Sequence, residues 1–247
     1  MAGMINTGIT DRRGTLQLDE LLGGGIPQGF SILITGPTGS AKTILSAQIL
    51  ANNAAQGKNC LYVTFDMSKD KLAGQMKQFG FKFKGNPNIK VLELDPEKDK
   101  DVLYLFKLID TSDFDVVVLD SLASLSSVSF HHGRKNLPDE LTRNKVRHII
   151  KSFQKNKITA FLINEQPEGT SLLSRDGVSE FMCDGIFMLY YACVVSYVGR
   201  RDYRSIRIRK MRQSNHEKFP VPFEITNEGV KLIESTMLRR GSQQFKK

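Results

Sequence analysis

An apolar run, FSILIT at 30–35, passes without a spacer into GPTGSAKT at 36–43, and from Lys42 the pattern turns helical until Gly57. This junction constrains the fold more than any other stretch. A buried strand ends, a glycine-bearing loop turns, and a helix starts with its N-terminus at that loop. Such a loop lines a concavity with backbone N–H groups, and the helix dipole adds partial positive charge, so the place suits an anion. The last two residues narrow the anion to a phosphate chain. Lys42 is expected to reach β- and γ-phosphates, and the Thr43 hydroxyl to ligate Mg²⁺. Gly36, Pro37, Thr38, Gly39, Ser40, Ala41, Lys42 and Thr43 are therefore the expected nucleotide-binding residues, with ATP as the nucleotide. Ala41 stands where such loops carry glycine; its methyl is expected to fit if the backbone there is already helical.

The rest of the chain alternates in the same manner. CLYVTF at 60–65, residues 89–94, VVVL at 116–119 and residues 158–163 are predicted strands. Between them, Leu72, Met76 and Phe79 mark one helix face, 102–109 reads as a helix, and Val146, Ile149, Ile150 and Phe153 mark another. Leu18, Leu21 and Leu22 give one amphipathic turn that Gly23-Gly24-Gly25 stops. After residue 163 the character changes to short strands at 185–190, 193–198 and 204–211, then a hairpin of 223–226 and 230–233 about Asn227-Glu228-Gly229. Strand–helix alternation followed by strands predicts an α/β fold whose mainly parallel sheet, flanked by helices, is extended by antiparallel strands. At 247 residues the chain is read as one domain over 1–238, with a basic, disordered tail at 239–247.

Polar residues at strand ends supply the remaining chemistry. Asp120 closes VVVLD, at the carboxyl end of a buried parallel strand, where open α/β sheets bind ligands. Its expected role is to hold the Mg²⁺ hydration shell. Asp66 ends the second strand and either polarises an attacking water or is an acid at a helix start. Asn164 is a γ-phosphate sensor or a plain strand-end polar residue. His131 and His132 lack partners at metal spacing, and Cys60, Cys183 and Cys193 fit neither a metal site nor a disulfide framework.

Charge and hydropathy bound the partners. No apolar run is long enough to span a membrane and the N-terminus is not of signal type, so a cytoplasmic location is expected. The net charge is +9, and the 199–212 stretch holds Arg200, Arg201, Arg204, Arg207, Arg209, Lys210 and Arg212 against Asp202. That balance fits an anionic partner such as DNA, or a solvated strand face. Simple alternation sends Lys210 and Arg212 to one side of their strand and Arg207 and Arg209 to the other.

In order along the chain, Thr7-Gly8-Ile9, LDELLGGGIPQG at 18–29, the phosphate loop, LYVTF at 61–65, VVVLDSL at 116–122, GVSEFMCDGI at 177–186, and KMRQSNHEK at 210–218 leading into PFEITNEGV form one pattern. With it the chain resembles the KaiC-like branch of the RecA superfamily of ATPases, which includes archaeal paralogues of the RadA recombinase. The resemblance implies a RecA-type phosphate-loop core in a homo-oligomeric ring, often a hexamer, with ATP between subunits. It carries over Lys42, Thr43 and Asp120 as nucleotide and Mg²⁺ ligands. It carries over Lys210, Arg212 and His216 as residues facing the γ-phosphate on a neighbouring subunit. Family members commonly have two glutamates after the second strand, the first activating water; here the pair is Asp66-Met67, and the stretch 10–17 is longer than usual. ATP binding with slow hydrolysis follows, in DNA transactions such as recombination. A switch acting on a recombinase or other regulatory protein, and an autokinase, are the alternative activities.

Overall fold

The computed structural model describes residues 3–111, 113–127, 140–167, 169, 172–191 and 204–234. The elements are β1 (Met4–Ile5), α1 (Leu18–Leu21), β2 (Ile26–Pro27), β3 (Ser31–Thr35), α2 (Lys42–Ala55), β4 (Cys60–Thr64), α3 (Lys69–Lys77), β5 (Ile89–Glu93), α4 (Asp99–Thr111) and β6 (Val116–Asp120). There follow α5 (Leu122–Ser127), α6 (Glu140–Lys155), β7 (Thr159–Ile163), α7 (Ser179–Met182), β8 (Gly185–Tyr190), β9 (Arg204–Met211), β10 (Val221–Thr226) and β11 (Gly229–Leu232).

Nine strands make one sheet in the order β11-β10-β9-β8-β3-β7-β6-β4-β5, and β1 pairs with β2 separately. From β8 to β5 all neighbours are parallel. β9, β10 and β11 continue the sheet antiparallel. The apolar runs explain the parallel part. Every residue of β3, β4 and β7 is buried, as strands covered on both faces require. Ile32, Ile34, Tyr62, Val116 and Val118 enter one core with Leu45 and Ile49 of α2. Leu33, Leu61, Val63, Val117 and Leu119 enter a second, with Leu105 of α4 and Phe153 of α6.

The expected α/β architecture is thus present, with local differences. Phe79 lies just past the end of α3, whose buried face is Leu72 and Met76. The hairpin turns on two residues, since Thr226 pairs with Gly229. Strand 193–198, Cys193, His131, His132 and the tail at 239–247 lie outside the described residues. Cys60 and Cys183 are buried, and burial pushes the Cys60 thiol up to about 12, which keeps it protonated. Among the described residues no helix is long and apolar enough to cross a membrane.

The antiparallel part holds one correction. β8 and β9 slip register between Ile186 and Phe187, so Ile186 pairs with Lys210 while Phe187 pairs with Ile208, and Arg209 is the extra residue. A bulge of this kind breaks the period of two. Ile208 and Met211 both enter the α2-side core. Lys210 therefore shares the opposite, α6-side face with Arg207, whose ladder partner Met188 lies in the second core. Simple alternation had separated the two.

Candidate nucleotide site

The loop 36–43 leaves β3 at the carboxyl edge of the parallel strands. Gly36 (φ 149°) is obligatory there, because an added Cβ would sit 2.2 Å from the Leu189 carbonyl oxygen. Ala41, the N-cap of α2, is left-handed at φ 78° and ψ 24°, not in the helical conformation on which the fit of its methyl was expected to depend. Its methyl is accommodated against a conformational preference, since L-residues disfavour this region by about 1–2 kcal/mol.

Two groups in the loop are prepared for a ligand. Ser40 Oγ is buried with no hydrogen-bond partner. Lys42 Nζ donates to the carbonyls of Gly36 (2.8 Å) and Pro37 (2.9 Å), so the ammonium curls over its own loop. Burial lowers the Lys42 pKa, while the charges of Glu165 and Asp120 oppose the shift. A buried cation among backbone groups and an orphan hydroxyl fit a phosphate chain.

Thr43, at the first turn of α2, donates to Asp120 Oδ2 at 2.8 Å, and the Tyr62 hydroxyl from β4 donates to the same oxygen at 2.7 Å. The Thr43 oxygen keeps its lone pairs for a cation while its proton is held by Asp120. Hydroxyl plus carboxylate at the mouth of a phosphate loop is the hard-oxygen donor set that Mg²⁺ takes. Burial raises the Asp120 pKa against the two hydroxyl donors that lower it; the Tyr62 phenol is driven well above its ordinary value by burial, then by Asp120.

Asp66 follows β4 in a turn that Thr64 closes, donating to the Met67 carbonyl at 2.8 Å, and Ser68 rather than Asp66 caps α3. The Asp66 carboxylate accepts from Ser124 (2.8 Å) and Ser121 (3.2 Å). It opens into a cleft of about 170 Å³ also lined by Glu165 and Arg175. Glu165 pairs with Arg175 at 3.3 Å. The fully buried Asn164 amide donates to Asp176 at 2.6 Å, and its oxygen accepts from the N–H groups of Glu165 and Arg175. Asn164 thus braces the loop that carries Glu165, and Glu165 is the residue of the pair that faces the cleft.

Lys210, Arg212 and His216 lie elsewhere. Lys210 donates to the Cys183 carbonyl at 2.5 Å, beyond α7, and Arg212 pairs with Asp184 at 2.9 Å. His216 Nδ1 is buried without a partner. β9 runs away from the loop: Arg204 donates to the Gly39 carbonyl at 3.1 Å, and Lys210 is six residues further on, about 20 Å along an extended strand. Lys210 and Arg212 therefore stand at the far edge of the sheet from their own phosphate loop.

Tyr191 escaped the sequence reading, and Arg204 entered it only as one of the basic residues of 199–212. The Arg204 guanidinium lies 4.8 Å from the ring centroid of Tyr191, and the ring packs beside Gly39. A half-exposed aromatic face and a planar cation thus flank the outer end of the loop. The available signal was the antiparallel pairing of β8 and β9, which joins Tyr190 to Ser205 and so brings the next residues together.

A family profile described as "ATPase: KaiC" matches residues 11–237. A circadian clock oscillator protein KaiC from Picosynechococcus is 25% identical over 231 residues, covering 90% of this chain and 44% of the relative. The circadian clock protein KaiC3 from Synechocystis is 29% identical over 232 residues, covering 87% and 44%. The chain thus spans less than half the length of these relatives. The crystal structure of a KaiC-like protein from the archaeon Pyrococcus horikoshii superposes with a TM-score of 0.76 at 26% identity, covering 95% of this chain and all of that one.

Proposed function

Because the chain belongs to the KaiC family of ATPases, we propose that it binds Mg²⁺–ATP on residues 36–43 and hydrolyses it slowly between the subunits of a homo-oligomeric ring. Six subunits and a cytoplasmic location complete the reading. The observation that carries it is the Thr43–Asp120 contact, which joins the start of α2 to the end of β6 at the loop's mouth. Lys42 and the loop N–H groups would hold the phosphates. Mg²⁺, when bound, would neutralise charge on the terminal phosphates. Asp66 would orient the attacking water. Its carboxylate is one methylene shorter than the family's glutamate and is held back by Ser121 and Ser124, which is the reason for slow turnover. The same restraint favours, as the second reading, an ATP-dependent switch acting on DNA transactions such as recombination, or on a protein that conducts them.

The cations for the developing charge would come from a neighbour. Lys210 and Arg212 lie too far along β9 to serve their own loop, and a cation supplied in trans is worth about 10³–10⁵ in rate. The test mixes Lys42→Ala protein, with a dead loop but intact cations, with Arg212→Ala protein, which has the reverse. Each alone is expected to be inactive and the mixture to regain ATPase activity. A mixture that co-assembles yet stays inactive would overturn the shared site.

A further inference from the structure

From Arg143 to its end at Lys155, the outer face of α6 is basic. Arg143, Arg147, Lys151 and Lys155 follow one another at i, i+4 spacing, all exposed, and none forms an ion pair among the described residues. Asn144, His148 and Gln154 complete the exposed face; among the described side chains, from Arg143 to Lys155, it holds no acid, while Val146, Ile149, Ile150 and Phe153 fill the core on the other side.

Helix stability does not explain this row. Like charges at i, i+4 repel, so three successive pairs weaken the helix. Arg143 sits in the first turn, where the dipole disfavours a cation; Lys155 alone lies at the favourable end. Solubility does not require it either, because mixed signs serve that purpose. A single-sign row is a feature that attracts an opposite charge.

From the length and charge of this row we infer that the outer face of α6 is a docking surface for the phosphate backbone of a nucleic acid. Twelve residues of helix extend about 18 Å. A nucleic-acid strand presents a phosphate every ~3.4 Å of axis, so a straight row of cations can track several of them. A membrane surface fits less well, since an interfacial helix inserts an apolar face and the apolar face of α6 is already buried. The row is separate from the phosphate loop; at its far end Gln154 donates to Asp184, the partner of Arg212, and the inference does not depend on ATP turnover.

The test is fluorescence anisotropy with labelled single-stranded and duplex oligonucleotides, from about 50 to 200 mM salt. Replacing Arg143, Arg147 and Lys151 together by Gln is expected to weaken binding at least tenfold at the low end. It should also reduce the slope of log affinity against log salt by about 2 for single strands and nearly 3 for duplex. A control with Lys71, Lys77 and Lys82 changed to Gln makes the same change in net charge on and beside α3 and should leave the slope unaltered. Thermal melting and ATP binding confirm that the variants are folded; if the triple variant is not, Arg147→Gln alone should reduce the slope by about 0.7–0.9. The inference is overturned if the α6 variant binds as the parent does, if both triple variants weaken equally, or if polyglutamate or anionic vesicles bind α6 as tightly as nucleic acid does.

Discussion

Removing one oxygen from Tyr62 probes the site at its most buried point. Tyr62→Phe keeps the ring, including its edge-on contact with Phe83 at 5.8 Å, and deletes only the hydroxyl that donates to Asp120 at 2.7 Å. Tyr62 is fully buried, so water cannot replace the donor. A hydrogen bond to a charged group contributes about 1.5–3 kcal/mol, a neutral one about 0.5–1.5. The loss should therefore be about 1.5–3 kcal/mol where Asp120 is ionised and about half that where it is protonated. The pH dependence has a defined sign. Burial already raises the Asp120 pKa above its ordinary 3.8, so this group favours the folded state most below 3.8 and the contribution is lost as pH rises through the folded pKa. Deleting a donor to the carboxylate raises that pKa further. The stability difference between parent and variant should thus be smallest at acid pH and grow toward neutrality. Denaturant melts of both proteins at a series of pH values measure it. A difference that stays flat with pH, or shrinks as pH rises, would refute the view that Tyr62 stabilises an ionised Asp120.

Two further substitutions address the loop and the proposed base. Asp66→Asn should abolish ATP turnover while ATP affinity, measured by titration, stays within about twofold, because the carboxylate lies in the cleft beyond the phosphate loop; parental turnover would transfer the role to another group, Glu165 first. Ala41→Gly should leave stability nearly unchanged: relief of left-handed strain is worth about 1–2 kcal/mol, but greater freedom of the unfolded chain returns about 0.4–1 and loss of the buried methyl costs about 0.8. These contributions nearly cancel, so the Tm should stay within about 2 °C of the parent for a chain this size; a Tm lower by about 4 °C or more in a thermal melt would contradict the view that Ala41 is strained.

What the sequence determined by itself is what short spacing controls. The run at 30–35, the loop and the following helix are contiguous, so their order alone places Lys42 and Thr43 at a helix N-terminus. Asp120 and Asp66 were legible because each closes an apolar run, and a parallel strand buried on both faces leaves little freedom over where its last residue emerges. The α/β class followed from the same runs. Tertiary structure decided whatever joins distant segments or departs from regular geometry. Tyr62 looked like one more apolar strand residue until the pairing of β4 with β6 set its hydroxyl on Asp120. Glu165 gained its position from the brace between Asn164 and Asp176, and Arg204 reached Gly39 only because β8 and β9 form a ladder. The bulge at Arg209 reset the faces of β9, and Ala41 took a left-handed backbone that its side chain does not favour. Local propensity prefers neither; each is imposed where the pairing of whole strands or the closure of the loop outweighs the preference of a single residue.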